Sequence, residues 1–372
     1  MENHRQAVRR VSLALLLLFA AGASAPVVSP LAAQSNGPPR SRDYWPTDEW
    51  RHADPARMGM DATLLERAAA FHEVLFPSGY SLIVIRNGHI VLERYLNGAD
   101  PDFVPHIFSI TKTVMSALTG IAIGEGLIEG VDQPVIELLS GRQLPPLDPA
   151  TGLVTVRHVL SHTSGLERQP GDGEDWIERT IGGRIVAEPG SQFNYSNTVP
   201  DLLSEVITRR SGMPTAEFAA SRLFTPLGIQ PGQWDTTPLG VEQGANGLHL
   251  SARDLARLGY LYLNDGWWDG RRILPAGWVA ESTRSAATFD RTRAYGYFMW
   301  LWQPPPTFRD RPLDTYYAYG HRGQYIGVYP ELDLLVVMSA DATDATRDTF
   351  FVQNYIEDFI RRLVLPAVAE RQ

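Results

Sequence analysis

The chain has 372 residues and carries a single lysine, Lys112, among its 33 lysine and arginine side chains. The other members of that set are arginines, whose guanidinium groups stay protonated in proteins. Lysine differs because burial or a neighbouring positive charge can lower its pKa until the amine loses its proton near neutrality. Lys112 also lies three residues after Ser109, at the start of an apolar segment. The sequence therefore indicates that Lys112 takes part in proton chemistry.

The segment that carries this lysine has the periodicity of a buried helix over about residues 109–124. Its apolar side chains recur at helical spacing, at Val114, Met115, Leu118 and Ile121. Ser109 and Lys112 lie on one face of such a helix, so their side chains can meet. Free N–H groups and the helix dipole at the first turn favour a developing negative charge. This arrangement is typical of an activated nucleophile. The alternative is a serine that caps the helix beside a lysine whose amine reaches solvent.

Charge and composition limit the classes of partner. The chain has 42 acidic side chains and a net charge of −9 at pH 7, without a run of basic residues. This balance argues against binding to nucleic acid or to an anionic membrane surface. Because the chain has no cysteine, its stability must come from core burial without disulfides, which its length permits.

Residues 1–25 have the pattern of a secretory signal peptide. Arg5, Arg9 and Arg10 precede an apolar run over residues 11–21, which is too short to cross a bilayer. Small residues near position 23 offer a cleavage site, and an uncleaved membrane anchor is the alternative. The pattern predicts an exported protein, periplasmic or secreted, that is not stably inserted in a membrane after cleavage.

Strand patterns occur early and late in the rest of the chain. They cover residues 81–85, 89–95, 296–302, 316–319, 324–329 and 334–339. Asn87-Gly88 joins the first two runs and is a strong hairpin signal. Hairpin connections predict an antiparallel sheet.

Helical patterns occupy the middle of the chain and both ends. They cover residues 61–74, 156–160, 201–210, 215–223 and 252–263, with a closing helix marked by Phe351, Tyr355, Phe359 and Leu363. In the first of these helices Asp61 is expected to cap the start, with Leu64, Leu65, Ala68 and Phe71 on one face. The sequence thus predicts an α+β fold in which helices cover the sheet and the middle forms a helical lobe.

The predicted domain plan follows from this order. After the signal peptide, the Pro- and Ser-rich residues 26–57 are expected to form an extended lead-in. Residues 58–365 are expected to form one catalytic domain. Its sheet part comprises residues 58–108 and 290–365, and its helical lobe spans about residues 125–290.

Tyr195-Ser196-Asn197 is the second segment suited to the chemistry of Ser109. It is expected in a loop ahead of a helix that Thr198 and Asp201 would cap as a capping box. A tyrosine near a protonated lysine can have its pKa lowered and act as a base. An asparagine can hold the lysine and offer a hydrogen bond to a substrate carbonyl. A capped loop without a chemical role is the alternative.

His321-Arg322-Gly323 is the third segment, at the point where one predicted strand ends and the next begins. Gly323 allows a substrate to approach the backbone closely. The N–H of Gln324 could point at the reacting oxygen and form, with the N–H of Ser109, a two-donor oxyanion hole. The alternative is an exposed turn with a solvated histidine and arginine.

In this order the three segments resemble the serine β-lactamase and penicillin-binding superfamily. Ser109-Ile110-Thr111-Lys112 is similar to its Ser-x-x-Lys motif. Tyr195-Ser196-Asn197 is similar to the Tyr-x-Asn motif of class C β-lactamases, D-Ala-D-Ala carboxypeptidases, family VIII esterases and 6-aminohexanoate-dimer hydrolases. His321-Arg322-Gly323 takes the position of the Lys-Thr-Gly motif. Two flanking phrases, at residues 160–166 and 251–256, also resemble phrases common in these proteins.

The resemblance covers roughly residues 58–365 and implies an antiparallel sheet with helices on both sides and an all-helical lobe. It also implies a mechanism in which Ser109 attacks a carbonyl while Lys112 and Tyr195 take and relay its proton. The oxyanion would rest on the N–H groups of Ser109 and Gln324, and water would release the acyl-enzyme. Asn197 and the third motif would contact substrate. No metal or cofactor is implied.

The third motif departs from the superfamily pattern, whose Lys and Thr bind the carboxylate of β-lactams and D-Ala-D-Ala peptides. Here His321 is mostly neutral at pH 7, and alternation along a strand would point Arg322 away from it. This departure favours an esterase or amidase that acts on a small ester or amide. The alternatives are a β-lactamase or D-Ala-D-Ala carboxypeptidase, and a binding protein that is acylated without turnover.

Three further expectations concern the surroundings of the site. His162 is expected to order a loop by hydrogen bonding, and the alternative is that it supports a catalytic residue from behind. Gly247 is placed near the cleft by the resemblance alone. Five tryptophans are expected either in the core or along an acyl pocket, with the core favoured: Trp267, Trp268, Trp278, Trp300 and Trp302.

Overall fold

An antiparallel sheet of eight strands lies at the centre of a computed structural model, which describes residues 40–169, 175–341 and 349–369. The strands of the described residues are β1 (Gly79–Arg86), β2 (His89–Tyr95), β3 (Trp267–Trp268), β4 (Arg271–Arg272), β5 (Ala287–Thr288), β6 (Arg293–Tyr295), β7 (Trp300–Trp302), β8 (Thr307–Phe308), β9 (Arg311–Pro312), β10 (Tyr316–Gly320), β11 (Gln324–Tyr329) and β12 (Leu334–Ala340). The order in the main sheet is β2-β1-β12-β11-β10-β7-β6-β5, and the other four strands form two short ribbons. The predicted signal peptide lies outside the described residues.

Helices supply the rest of the regular structure. They are α1 (Ala62–Leu75), α2 (Ile110–Gly124), α3 (Val135–Leu138), α4 (Val156–Leu160), α5 (Trp176–Ile181), α6 (Asp201–Ser211), α7 (Thr215–Ala219), α8 (Thr225–Leu227), α9 (Ala252–Leu263), α10 (Trp278–Ser282) and α11 (Thr349–Phe359). The predicted α+β fold, an antiparallel sheet flanked by helices, is confirmed. Among the helices of the described residues, none combines the length and apolar character needed to cross a membrane.

The strand order follows from the hairpins that the sequence predicts. β1 and β2 are joined at Asn87 and Gly88, whose φ angles of 51° and 83° are those of a tight hairpin turn. β12 pairs with both β1 and β11, so this late strand lies inside the sheet. All seven of its residues are buried, which explains its nearly continuous apolar sequence.

The sequence predicts a single strand for the aromatic run at residues 296–302, and this prediction is wrong. It contains a turn between β6 and β7, where Phe298 has a φ of 55°. The N–H of Phe298 donates to Leu160 O at 2.9 Å, and Thr113 Oγ1 donates to Phe298 O at 3.0 Å. These two hydrogen bonds hold the turn against α4 and α2, and the apolar side chains of the run are buried there.

The face of α1 also differs from the prediction at one position. Asp61 caps the helix as expected, since its Oδ1 accepts from Leu64 N at 3.0 Å. Phe71, however, is exposed, whereas Ala68 and His72 are buried. His72 is buried in place of Phe71 because residues 65, 68 and 72 follow the i, i+3, i+7 spacing of one helix face.

The described part of the lead-in, residues 40–57, packs against α9. Trp50 is buried and its Nε1 donates to Arg253 O at 3.2 Å. Arg257 Nε, on the next turn of the same helix, donates to Pro46 O at 2.8 Å. Core packing therefore starts ahead of residue 58.

Helix α2 is buried on every side. Each residue from Ile110 to Ala122 is buried, which is typical of a helix in the core of a protein. Gly120 permits the close approach of a neighbouring helix, because a Cβ at this position would lie 2.6 Å from ring atoms of Trp278 on α10. The first turn of α2 is consequently held in a fixed place within the fold.

We expect Gly120→Ala to lower the free energy of unfolding by about 1–3 kcal/mol, because the added methyl group overlaps a buried indole. Urea unfolding followed by tryptophan fluorescence measures this change. Gly130→Ala is the matched control, because no atom lies within 4 Å of a Cβ there. Its effect should stay within about 0.5 kcal/mol. Equal stabilities of the two variants would contradict this account of α2 packing.

Candidate active site

Ser109 is the residue that immediately precedes α2, and its side chain does not cap the helix. The preceding Phe108 has a φ of 49°, a left-handed conformation that costs about 1 kcal/mol or more outside glycine. Hydrogen bonds to neighbouring side chains hold its backbone there. Phe108 N donates to His106 Nδ1 at 3.1 Å, and Thr111 Oγ1 donates to Phe108 O at 2.7 Å. The serine therefore follows a constrained turn, with its hydroxyl available for other partners.

Lys112 is buried, with 1% of its surface exposed. Its Nζ donates to Ser109 Oγ at 3.1 Å, to Asn197 Oδ1 at 3.0 Å and to Ala245 O at 2.8 Å. Burial lowers the pKa of the amine to about 7, because a low-dielectric surrounding disfavours the charged form. An amine that reaches solvent is thereby excluded. In its neutral form Nζ has a lone pair that can accept the proton of Ser109.

Tyr195 lies beside Lys112, whose amine is 4.8 Å from the centre of the tyrosine ring. Burial raises the pKa of Tyr195 to about 12. The expected lowering by a nearby lysine is wrong here because desolvation dominates. At neutral pH the tyrosine hydroxyl therefore keeps its proton, and Lys112 is the group that can be deprotonated.

His162 supports the loop that carries Tyr195. Its Nδ1 accepts from Ser196 N at 3.4 Å and its carbonyl accepts from Asn194 N at 2.7 Å. The imidazole lies 4.5 Å from the Tyr195 ring, centre to centre. Burial lowers its pKa well below the usual value, and the charge of Lys112 adds to that shift, so the ring is neutral. These contacts agree with the loop-ordering role that the sequence predicts.

The predicted capping box at Thr198 and Asp201 is wrong. Helix α6 begins at Asp201 after Pro200, without a side-chain cap. Asp201 Oδ1 instead accepts from Ala245 N at 3.0 Å. The carboxyl group is buried, which raises its pKa to about 7, although the charge of Lys112 opposes that shift. A buried acid that contacts the residue bound by Lys112 is the feature that sequence reasoning missed.

The third motif is a turn and not part of a strand. His321–Gly323 forms a single 3-10 turn between β10 and β11, with a φ of 67° at Arg322. Strand alternation does not apply, and both side chains contact Phe108. The His321 ring lies 5.5 Å from the Phe108 ring, centre to centre, and Arg322 Cζ lies 5.3 Å from that ring's centre. The predicted divergence of the two side chains is therefore wrong.

The positive charge of Arg322 in this turn is compensated by a carboxylate. Arg322 Nη1 donates to Asp341 Oδ1 at 3.0 Å, in an ion pair whose side chains are each a little over one-third exposed. Burial lowers the pKa of His321, and the charge of Arg322 adds to that shift. The motif thus presents a neutral imidazole and a guanidinium that already has a carboxylate partner.

The two predicted oxyanion donors lie in segments that touch each other. Gly320 ends β10 so close to the residue ahead of Phe108 that a Cβ on it would lie 2.4 Å from Ile107 O. After the turn, Gln324 begins β11 and its side-chain Nε2 donates to Ala340 O. The use of the N–H groups of Ser109 and Gln324 as an oxyanion hole stays a prediction.

The other expected residues fall into place around these segments. Gly247 N lies 3.0 Å from His106 Nε2, which puts the glycine beside the turn before Ser109. Trp300 is stacked on Tyr195 with ring centres 6.0 Å apart. Core positions account for most of the five tryptophans: four are buried and Trp267 is half-buried. Within the described residues, no three histidine or carboxylate side chains are grouped as a metal site.

Comparison with known proteins agrees with this geometry. The family model described as beta-lactamase matches residues 69–353. The 6-aminohexanoate-dimer hydrolase of Paenarthrobacter ureafaciens is 25% identical over 237 residues, which cover 56% of this chain and 59% of that protein. Esterase EstB of Burkholderia gladioli is 26% identical over 211 residues, or 48% of this chain and 53% of that protein. The chain thus spans little more than half the length of these two relatives.

A solved structure shows the same fold over more of the chain. The putative 6-aminohexanoate-dimer hydrolase from Bacillus anthracis superposes with a TM-score of 0.65 at 18% sequence identity, covering 88% of this chain and 92% of that one. The family match extends from α1 to α11 and includes all three motifs. The chain therefore belongs to the β-lactamase family and is a serine hydrolase.

Proposed function

We propose that the protein hydrolyses ester or amide bonds of small molecules through an acyl-enzyme on Ser109. The 3.1 Å hydrogen bond between Ser109 Oγ and the buried Lys112 amine carries this proposal. A serine hydroxyl is a weak nucleophile unless an adjacent base accepts its proton. An amine with a pKa of about 7 is partly neutral at physiological pH and is therefore suited to that step.

Acylation would proceed as follows in this geometry. Ser109 Oγ bonds to the substrate carbonyl carbon while its proton moves to Lys112 Nζ. The carbonyl oxygen becomes an oxyanion held by the N–H groups of Ser109 and Gln324. Tyr195, protonated at neutral pH, donates its proton to the leaving alcohol or amine, and the proton on Lys112 restores the tyrosine. Water then attacks the acyl carbon with the same base, and Ser109 leaves with its proton.

The charge of the third motif supports esters and amides that lack a carboxylate. Arg322 is already paired with Asp341 and lies over the ring of Phe108. A substrate carboxylate would have to share the guanidinium with Asp341, and the repulsion between the two carboxylates would cost free energy. A neutral substrate avoids that cost.

A β-lactamase or D-Ala-D-Ala carboxypeptidase is the second candidate, and the exposure of the same ion pair favours it. Both side chains of Arg322 and Asp341 are more than one-third exposed. Exchange of one carboxylate for another at an exposed pair has a small energetic cost.

Export to the periplasm or the medium is also part of our proposal and rests on the pattern of residues 1–25.

We expect the mature protein to hydrolyse p-nitrophenyl acetate and butyrate, with nitrocefin turned over slowly or not at all. Ser109→Ala should reduce ester turnover by at least about 10³-fold, because the nucleophile is lost. Spectrophotometric rates for both variants provide the measurement. Rapid nitrocefin turnover would favour the second candidate. A stable adduct without product, seen as an intact-mass increase, would mean that the protein binds without turnover.

Lys112→Arg should fold and keep a positive charge, yet lose about 10²–10⁴-fold in kcat/KM, the usual contribution of a general base. The guanidinium cannot give up its proton to become that base. Circular dichroism checks the fold and ester hydrolysis gives the rate. Turnover equal to that of the unmodified protein would exclude Lys112 as the base.

The pH profile of kcat/KM should have an acid limb centred near pH 7, the pKa to which burial brings Lys112. Below that pH the amine is protonated and cannot accept the proton of Ser109, so activity should fall about tenfold per pH unit. Initial ester hydrolysis rates from pH 5 to pH 9, extrapolated to zero buffer, test this expectation. A flat profile over that range would contradict it.

A further inference from the structure

Asp201 connects the start of α6 to the amine of Lys112 through one intervening residue. Its Oδ1 accepts from Ala245 N at 3.0 Å. The carbonyl of the same Ala245 accepts from Lys112 Nζ at 2.8 Å. Ala245 thus has its N–H on the acid and its C=O on the amine. The position of the lysine's third acceptor depends on the acid.

Both ends of this connection are removed from water. Lys112 and Asp201 are each 1% exposed. The three N–H groups of the ammonium are used by Ser109, Asn197 and Ala245, so Asp201 acts on the amine through space. In a buried site the attraction between opposite charges is weakly screened and favours the charged form of each group.

We propose that Asp201 is a positioning residue for acylation, which holds Ala245 in place and stabilises the ammonium formed when Ser109 gives its proton to Lys112. The inference rests on the proposed function of Ser109 and Lys112. In that step the proton leaves Ser109 Oγ and arrives on Lys112 Nζ as the bond between Oγ and the carbonyl carbon forms. Asp201 takes no proton in the step and supplies its negative charge.

The other groups of the described structure that face Lys112 carry no negative charge at neutral pH. Tyr195 faces the amine from the loop ahead of α6, and burial raises its pKa to about 12. His162 faces it from the loop after α4, and burial keeps that imidazole neutral. Asn197 and Ala245 are uncharged. Of the groups that face Lys112 in the described structure, Asp201 is therefore the one that can be negative at neutral pH.

The single lysine of the chain allows a direct test. Protein grown with lysine labelled with ¹³C at Cε carries one labelled side chain, so its NMR signal reports the protonation of Lys112 alone. Asp201→Asn keeps an acceptor for Ala245 N and removes the charge. We expect the pKa of Lys112 to fall by about one unit in this variant, because the ammonium loses its nearby anion.

Glu217→Gln is the matched control, because it removes an exposed carboxylate from α7 and changes the net charge equally. The Lys112 titration should be unchanged in this variant. Asp201→Asn should also move the acid limb of kcat/KM for p-nitrophenyl butyrate to lower pH by about the same amount, and reduce the plateau about tenfold. A role in structure alone would lower the plateau and leave both the limb and the NMR titration where they are.

The NMR titration separates this inference from the proposed function, because it needs no substrate. A Lys112 titration in Asp201→Asn that coincides with that of the unmodified protein would overturn the inference. Absence of ester turnover in the unmodified protein would instead overturn the proposed function.

If Asp201→Asn does not fold, the unmodified protein still decides. Its Lys112 signal should respond to two ionisations between about pH 5 and pH 9, one of the amine and one of the neighbouring carboxyl. A single titration above about pH 10, the ordinary range for lysine, would overturn the inference.

Discussion

The burial of one ammonium group is the constraint on which the site depends. Taking an amine out of water costs several kcal/mol unless other interactions compensate. Here three hydrogen bonds to Nζ and the nearby carboxylate of Asp201, which does not bond to Nζ, offset part of this cost. The pKa of Lys112 remains near 7. A carboxylate bonded directly to Nζ would stabilise the ammonium and keep the amine protonated. Because Asp201 contacts Ala245 and not Nζ, the neutral form of the Lys112 amine can still be populated near pH 7.

The partners of Lys112 come from distant parts of the chain, so the surroundings of its amine form only in the complete fold. Asn197 is 85 residues away in sequence and Ala245 is 133 residues away. They meet because α2 is enclosed by the sheet, by α6 and by the segment around Gly247. The left-handed turn at Phe108 lies against the same segments, since the His106 ring is placed between them, with Nδ1 3.1 Å from Phe108 N and Nε2 3.0 Å from Gly247 N. Ser109 and Lys112 are thus positioned by one set of contacts.

The sequence predicts the parts of this site that depend on short spacing or on a known motif. Ser109 and Lys112 meet because they are three positions apart on a helix, and the motif resemblance adds Tyr195 and Asn197. The spacing of Asp201 from Thr198 predicts a capping box, because it is typical of one. Its true partner lies 44 residues later, and no local pattern reveals a contact of that separation. The turn within residues 296–302 escaped detection for a similar reason, because its backbone partners lie on α2 and α4.

The pH behaviour of the site follows from which residues occupy the three motifs. Arg322 brings to the third motif a guanidinium that is paired with Asp341. His321 has a lowered pKa and is neutral at neutral pH. Under the proposed function, a change of rate near neutral pH is expected from Lys112 and Asp201, whose pKa values both lie near 7. The proposed proton chemistry thus depends on the one lysine among the chain's 33 lysine and arginine side chains.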